Sequence, residues 1–482
     1  MDRTRKWWAL AAVSLATFMT YLDNNVVNVA LPTIQRALGL SLSGLEWIVS
    51  GYILVFAGLM LVGGRLADLY GRRRVFLAGL AVFTVASLLA GLAGSAEVLI
   101  ASRALQGVGA ALLTPTALAI LPAMFPDPRE RGLAVGIWSA SGAMALALGP
   151  VTGGFISERW HWGWIYLINV PVGVITLGLA AASIGRQRDL VARRLDVAGL
   201  GTSSVSLLAL TYGLIEGQRH GWTSGLIMGS FLLAAAAAVA FVVVESRSAD
   251  PMIDISLFRS RLFSGGVAAM GLWAFGVFGI YFFTALYLQN VLGFSPTRAG
   301  EAFVPMALVM AVVAAASGPV AARVGTHRAV AGGLGLMAIA VLGLSSVGSG
   351  GSLGDLMPWF LAYGVGAGLL VPLTATILGL LPADREGVAS GVLNVSREVF
   401  GLLGVTVLGA ILSARQAAEL ADGAAPLPAF LTGYQFALVI AAVVVAIGVP
   451  VSLWALRTRR PAAVPTPAAG VDERPEPVLV AG

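Results

Sequence analysis

The chain has 482 residues, of which 58% are hydrophobic and 11% are charged, and its mean hydropathy is +0.88. Soluble domains carry about 25% charged residues, so this composition excludes a soluble protein and indicates an integral membrane protein. The formal net charge of +6 would suit a nucleic-acid-binding protein, but the distribution of the basic residues excludes that class. Because the chain has no cysteine, and its three histidines lack ligand-like spacing, we expect neither a disulfide nor a metal site.

Uncharged stretches long enough to cross a bilayer, which takes about 20 residues, recur along the chain. They are 47–64, 75–96, 104–126, 132–157, 162–185, 197–215, 221–244, 262–297, 302–322, 329–354, 356–383 and 423–456. Two further apolar stretches contain charges. Asp23 interrupts residues 7–31, and the pair Arg397–Glu398 interrupts residues 387–414. We therefore predict an all-α integral membrane fold with fourteen transmembrane helices. Function should lie in the two interrupted spans, since an intramembrane charge costs at least about 2.5 kcal/mol.

Most of the lysine and arginine residues fall in segments on one predicted side of the membrane. The arginines on the other side are Arg36, Arg159, Arg219, Arg298 and Arg415. This asymmetry follows the positive-inside rule. It predicts a multi-pass protein of the cytoplasmic membrane with both termini in the cytoplasm.

The hairpin between the second and third spans reads Gly-Gly-Arg-Leu-Ala-Asp-Leu-Tyr-Gly-Arg-Arg-Arg over residues 63–74. A positively charged turn of any membrane protein would explain the arginines, but neither the acid nor the glycine spacing. The hairpin resembles the signature between the second and third helices of the major facilitator superfamily. The matching residues are Gly64, Asp68, Gly71, Arg72 and Arg73. We expect small residues to let the helix ends approach here, and Asp68 to pair with the arginines as a cytoplasmic gate.

A weaker copy of the hairpin pattern at residues 318–328 lies between the tenth and eleventh spans. The copy predicts two six-helix bundles, 1–184 and 262–457, separated by a linker with two inserted helices at 185–261. Parallel repeats of this kind hold substrate near the membrane midplane. The tail, 458–482, is rich in proline and alanine and should be a disordered cytoplasmic segment.

Four further stretches resemble the fourteen-span drug:proton antiporter branch of the superfamily. Residues 22–32 read Leu-Asp-x-x-Val-Val-Asn-Val-Ala-Leu-Pro, residues 162–171 read Trp-x-Trp-Ile-Tyr-Leu-Ile-Asn-Val-Pro, and residues 394–397 read Asn-Val-Ser-Arg. The chain departs from the branch at Asn25, Gly163 and Glu398, where Thr, Arg and Gln are usual. In the fifth span, the residues that resemble the antiporter motif of exporters are Gly142, Gly149, Pro150, Gly153 and Gly154.

The charged residues of the spans are candidates for proton coupling. Asp23 and Arg103 lie at similar depth, so a titratable pair is possible, with a purely structural pair as the alternative. Glu398 lies near the midplane. Arg397 is adjacent in sequence and should point about 100° away on a helix, so we expect the two not to pair well. Glu398 would then bind a proton or a cationic substrate, or serve as a structural partner for another span.

For the substrate cavity we predict contributions from Asn28, Gln106, Asn394 and Arg397. The resemblance implies a monomeric exporter that exchanges protons for amphipathic, often cationic, drugs or toxic compounds in the lipid bilayer. No phosphate-cradling Gly-x-x-x-x-Gly-Lys-Ser/Thr motif occurs, so we expect no cofactor and a proton gradient as the energy source. The alternatives are a dedicated exporter of a self-made metabolite and a non-transporting membrane sensor or scaffold. No enzyme constellation is present.

Overall fold

The computed structural model describes residues 3–185, 196–248, 251–378 and 386–457, and its regular elements there are helices. The first group comprises α1 Arg3–Leu38, α2 Leu42–Tyr70, α3 Arg72–Gly91, α4 Ala96–Met124, α5 Pro128–Arg159, α6 Trp164–Leu167 and α7 Asn169–Ser183. Two helices follow, α8 Val197–His220 and α9 Gly225–Arg247, and then a 3-10 turn at Ile255–Arg259. The last group comprises α10 Arg261–Asn290, α11 Pro296–Ala302, α12 Val304–Val324, α13 Thr326–Ser345, α14 Leu353–Gly368, α15 Pro372–Leu378, α16 Glu386–Ala421 and α17 Pro426–Ala455.

Thirteen helical segments of the described residues are long and apolar enough to cross a membrane. Three of them are broken, since α6 runs into α7, α11 into α12 and α14 into α15. The fourteenth span is α1, whose 36 residues exceed the length required at about 1.5 Å per residue. Its polar cluster, Asp23–Asn25, lowers its hydropathy. The prediction of an all-α fold with fourteen spans is confirmed.

Serine and aspartate side chains set the starts of several spans. Each side-chain oxygen accepts a hydrogen bond from a backbone N–H of the first helical turn, which would otherwise lack a partner. Such caps stand at Ser41, Ser95, Asp127, Ser224 and Ser260. These polar residues interrupt the apolar pattern at the membrane edges, where the hydropathy of the sequence already predicts turns.

The spans pack in two groups. In the first, α4 packs on α2 and α3, and α1 packs on α5 and α7; in the second, α10 packs on α16 and α17, and α14 on α12 and α13. The inserted helix α8 packs on α9 and also contacts α2 and α16, one from each group. The proposed boundaries at 184 and 261 stay a prediction. The predicted tail, 458–482, and most of the loop before α8 lie outside the described residues.

The two groups meet closely at one face of the membrane. We call the face at which α1 begins and α17 ends the terminus face, and the other the opposite face. At the opposite face a Cβ added to Gly154 of α5 would overlap the Pro296 carbonyl of α11, so the backbones touch. Glu158 Oε2 accepts a hydrogen bond from the Thr297 N–H (3.0 Å), and Gln289 Nε2 donates to the α1 backbone (2.7 Å). These contacts join the two groups at the opposite face, and we refer to them below as the seal.

Candidate functional site: a central cavity and two buried charge pairs

A cavity of about 570 Å³ lies between the two groups of helices, near the middle of their length. Ligand pockets of drug-sized molecules have about 300–1,000 Å³. Amide and hydroxyl side chains line part of it: Thr17, Thr20, Asn24, Asn25, Asn28, Thr114, Ser139, Thr374 and Asn394. Aromatic side chains form much of the rest: Tyr21, Tyr52, Phe56, Trp138, Trp273, Phe278 and Tyr281. A wall of aromatic rings with scattered neutral polar groups suits amphipathic ligands of varied shape.

The first charge pair joins α1 to α4 beside the cavity. Asp23 Oδ2 lies 2.5 Å from Arg103 Nη1, and both side chains are fully buried. Asp23 Oδ1 accepts two more hydrogen bonds, from Gln106 Nε2 (3.0 Å) and from Asn169 Nδ2 of α7 (2.8 Å). The carboxylate therefore binds donors from two other helices. Its charge is neutralised by one arginine, and both oxygens are occupied.

Arg103 is held by more than the acid. Its Nε donates to the Ile48 carbonyl of α2 (3.2 Å), and its Nη1 also donates to Gln106 Oε1 (2.8 Å). The guanidinium carbon lies 4.4 Å from the centre of the Tyr52 ring, a cation–π contact. Since Tyr52 also lines the cavity, its ring separates the buried pair from the space where a ligand would bind.

The second charge pair lies in the cavity wall on α16. Arg397 Nη2 and Nε both donate to Glu398 Oε1, at 2.7 and 3.0 Å. Arg397 Nη2 also lies 3.5 Å from the Tyr21 hydroxyl of α1. The expectation that these neighbours cannot pair is therefore wrong. Their Cβ atoms do diverge on the helix, but the long arginine side chain folds back to its neighbour.

Some of the other residues predicted for the cavity line it, and one does not. Asn28, Asn394 and Arg397 line it, as does Gly142 of the predicted antiporter motif. Gln106 does not, because it lies one helical turn after Arg103 on the same face of α4. That face is buried, and Gln106 donates to Ser87 Oγ of α3 (2.8 Å) as well as to the acid. The prediction that Gln106 contacts substrate is corrected accordingly.

The other glycines of the antiporter motif lie at close helix contacts. A Cβ on Gly149 would approach Asn25 Cβ of α1 to 2.5 Å, and one on Gly153 would approach the Val26 carbonyl to 2.5 Å. Gly154 touches α11, as described above. Next to them, the Pro150 carbonyl contacts Gly300 of α11. The motif thus lets α5 pack against α1 and against the second group of helices.

The hairpin between α2 and α3 turns at Gly71, whose φ of 92° lies in the left-handed region that favours glycine. Arg72 Nη1 donates to the Ala119 carbonyl of α4 (2.6 Å), and Arg73 Nη2 donates to the Ala181 carbonyl of α7 (2.6 Å). Within the described residues no ion pair joins Asp68 to an arginine. The expected pairing is therefore absent from this conformation, because the arginines bind carbonyls near helix ends instead.

The close approach in this hairpin occurs at Gly63 rather than at the predicted Gly64. A Cβ on Gly63 would overlap the Ala111 carbonyl of α4, whereas at Gly64 the nearest atom is Pro115 Cβ at 3.8 Å. The packing contact therefore lies one residue before the family signature begins.

Several buried polar residues lie outside the sequence prediction. Tyr52 and Asn169 complete the site around Asp23, although neither side chain has a role predicted from the sequence. Glu46 and Glu216 are also buried, and Glu216 accepts a hydrogen bond from Trp47 Nε1 (2.9 Å). Each acid lies one residue outside an uncharged stretch. The sequence pattern therefore places both at the ends of spans rather than inside them. In the part of the chain that the structure describes, no group of three or more His, Asp or Glu residues could hold a metal ion.

The sequence matches the family described as Major Facilitator Superfamily over residues 13–405. It is 36% identical over 435 residues to the multidrug resistance protein Stp of Mycobacterium tuberculosis, covering 87% of this chain and 78% of that protein. It is 36% identical over 454 residues to the puromycin resistance protein pur8 of Streptomyces alboniger, covering 91% and 88%. It is 40% identical over 411 residues to the cephamycin export protein CmcT of Amycolatopsis lactamdurans, covering 83% and 84%.

The fold is also similar to solved transporters. A bacterial homologue of the human lysosomal transporter Spinster, in an inward-facing and occupied conformation, matches with a TM-score of 0.65 at 16% identity, over 94% of this chain and 97% of that chain. An auto-inhibited peptide transporter of the POT family matches with a TM-score of 0.69 at 12% identity, over 93% and 97%. At these identities the likeness shows the fold alone.

Proposed function

Because the chain belongs to the Major Facilitator Superfamily, we propose that it is a proton-coupled antiporter that exports amphipathic, drug-sized molecules. It would act as a monomer in the cytoplasmic membrane, with the terminus face in the cytoplasm. One observation carries the proposal: a buried carboxylate that links three helices lies behind the wall of a cavity of about 570 Å³. The relatives named for drug resistance and antibiotic export support the substrate class.

The energetic argument concerns Asp23. A proton on this carboxylate would leave the Arg103 guanidinium buried and without a counter-charge, and breaking a buried pair in this way costs about 3–5 kcal/mol. A shift of a two-state equilibrium from 1:99 to 99:1 takes about 5.5 kcal/mol. One proton can therefore supply most of the free energy that changes the relative stability of two conformations. The helices that would move are those joined at the Asp23 carboxylate, α1, α4 and α7.

We assign export as the direction of transport, and the α5–α11 contact fits the loading step of an exporter. If that contact closes the cavity at the opposite face, a ligand would enter from the terminus face. Export then requires the seal to open and the cavity to close at the terminus face. Protonation of Asp23 from the outside would provide the return step, with proton entry coupled to substrate exit.

A dedicated exporter of a metabolite made by the host is the second candidate. Its support is the 40% identity to a cephamycin export protein. The two candidates share the mechanism and differ in the breadth of substrates.

Two measurements test the proposal. Cells with and without the protein are compared for growth inhibition by a panel of toxic compounds, where an exporter raises tolerance to some of them. Purified protein in proteoliposomes is then given a compound from that panel, and the luminal pH is recorded. An antiporter changes the luminal pH when substrate is added, whereas a sensor or scaffold leaves it unchanged, which would contradict the proposal.

A further inference from the structure

The charge presented to a ligand in the central cavity is set by one residue pair. Within the described residues, the charged side chains of the cavity lining are Arg397 and Glu398. They are unequally exposed, with 21% of the arginine side chain accessible and 3% of the glutamate. A ligand therefore meets the guanidinium before it meets the carboxylate.

The hydrogen bonds of the pair also leave the guanidinium more available to a ligand than the carboxylate. Glu398 Oε1 takes both donors from Arg397, through Nε and Nη2. Arg397 Nη1 makes no hydrogen bond to any residue that the structure describes. Its N–H groups are thus free to donate to an anionic or polar ligand without disturbing the ion pair. A cation, by contrast, would have to displace Arg397 to reach the carboxylate.

Among the residues that the structure describes, no other acid in the cavity lining balances the charge of Arg397. Asp23 is fully buried, with both oxygens occupied, and it does not line the cavity. The remaining polar groups of the wall, such as Asn24 and Thr17, are neutral amides and hydroxyls. The aromatic rings attract cations weakly through their faces, but they stack equally well on uncharged rings. The ion pair is therefore the feature that distinguishes ligands by charge.

We propose that the cavity selects anionic and uncharged aromatic molecules over cations, with Arg397 as the selectivity residue and Glu398 as its internal counter-ion. This inference rests on the proposed function, because it assigns a substrate class to the same cavity. An anionic group of the ligand would accept a charge-assisted hydrogen bond from Nη1. The pair also selects by exclusion, since a cation that approaches meets a like charge.

The test measures binding, so that it does not depend on transport. Purified protein in nanodiscs is titrated against three dyes of similar size, and fluorescence anisotropy gives each Kd. The dyes are anionic fluorescein, cationic rhodamine 123 and an uncharged boron-dipyrromethene dye. We expect fluorescein to bind about tenfold more tightly than rhodamine 123, as one charge-assisted hydrogen bond would give, with the uncharged dye between them.

Three variants test whether the two charges cause this order of affinities. Arg397→Gln leaves the glutamate unpaired and should reverse the preference toward rhodamine 123. Glu398→Gln leaves the arginine unpaired and should increase the preference for fluorescein. The double variant removes both charges and should bind the three dyes with similar affinity. A merely structural pair would weaken all three dyes by the same factor in each variant.

The outcomes separate the two claims. Tighter binding of rhodamine 123 by the unmodified protein, equal loss of all dyes in the variants, or no dye binding at all would overturn the selectivity proposal. If the dyes bind in the expected order but no compound drives a pH change in proteoliposomes, the export proposal fails instead. Arg397→Lys keeps the charge and loses the fork of donors, so it should keep the order of the dyes with a smaller difference.

Discussion

The two charge pairs have the same chemistry and different surroundings. Asp23 binds donors on α4 and α7, fully buried, whereas Glu398 binds its own neighbour on α16 at the cavity wall. Loss of the first charge therefore removes contacts between three helices. Loss of the second removes a bond within α16. Among the described residues, the hydrogen-bonded contact of this pair with another helix is that of Arg397 Nη2 with the Tyr21 hydroxyl at 3.5 Å, so the loss changes mainly the surface that a ligand meets. The difference fits the proposed division of roles, in which the first pair drives the conformational change and the second distinguishes ligands by charge.

The largest effect is expected from Asp23→Asn, which breaks the first pair and leaves Arg103 buried without a counter-charge. Substrate-dependent proton movement in proteoliposomes should be abolished, and the free energy of unfolding should fall by up to about 3–5 kcal/mol. The matched control is Asp422→Asn, the same change at an exposed position after α16. If Asp23→Asn keeps the full proton movement, the division of roles is wrong.

A smaller loss should follow from Asn169→Ala, which removes one of the three groups that bind the Asp23 carboxylate. Oδ1 keeps its hydrogen bond from Gln106, but the loss of one hydrogen bond to a charged group costs about 1.5–3 kcal/mol, so the transport rate should fall about tenfold or more. Asn28→Ala is the control, because within the described part of the chain its amide donates only to a carbonyl of its own helix, at 3.4 Å. It should alter substrate affinity while the number of protons per substrate stays constant. Equal effects of the two variants on proton coupling would count against a special role of the first pair.

The seal at the opposite face would determine from which side of the membrane solutes reach the two charge pairs. Gly154→Ala should weaken this seal. The new Cβ would overlap the Pro296 carbonyl, so α5 and α11 must separate. In a chain without native cysteine, a single cysteine at Ala311 in the cavity should react several times faster with a probe added at the opposite face. Gly136→Ala on the same helix, where a Cβ meets nothing within 4 Å, should leave the labelling rate unchanged. Slower labelling in the Gly154 variant would show that the contact is no seal.

The smallest effect is expected at Tyr52, which lies between the first pair and the cavity. Tyr52→Leu removes the ring that stacks on Arg103, a contact worth about 0.5–2 kcal/mol. Initial transport rates should fall a few-fold, while Tyr52→Phe, which keeps the ring, should behave like the unmodified protein. If the two substitutions are equally harmful, the hydroxyl rather than the ring is the important group.

The sequence predicted the spans from the length of the apolar stretches. It also indicated that a pair between Asp23 and Arg103 is possible, because the position of each residue along its span gives its depth in the membrane. It did not predict the Arg397–Glu398 pair, since helical periodicity describes where Cβ atoms point and a long arginine side chain is not bound by that direction. Nor could it predict that Asn169 meets Asp23. That contact depends on the break between α6 and α7 and on the packing of three helices. The sequence of a single span specifies neither.

The central claim is the division of roles between the two pairs, and one experiment compares them directly. Proteoliposomes containing Asp23→Asn or Glu398→Gln are given the same substrate at the same pH gradient, and the protons moved per substrate molecule are counted. The account predicts no substrate-coupled proton movement for Asp23→Asn, and an unchanged ratio with altered substrate preference for Glu398→Gln. An unchanged ratio for Asp23→Asn, together with a lost proton for Glu398→Gln, would contradict it.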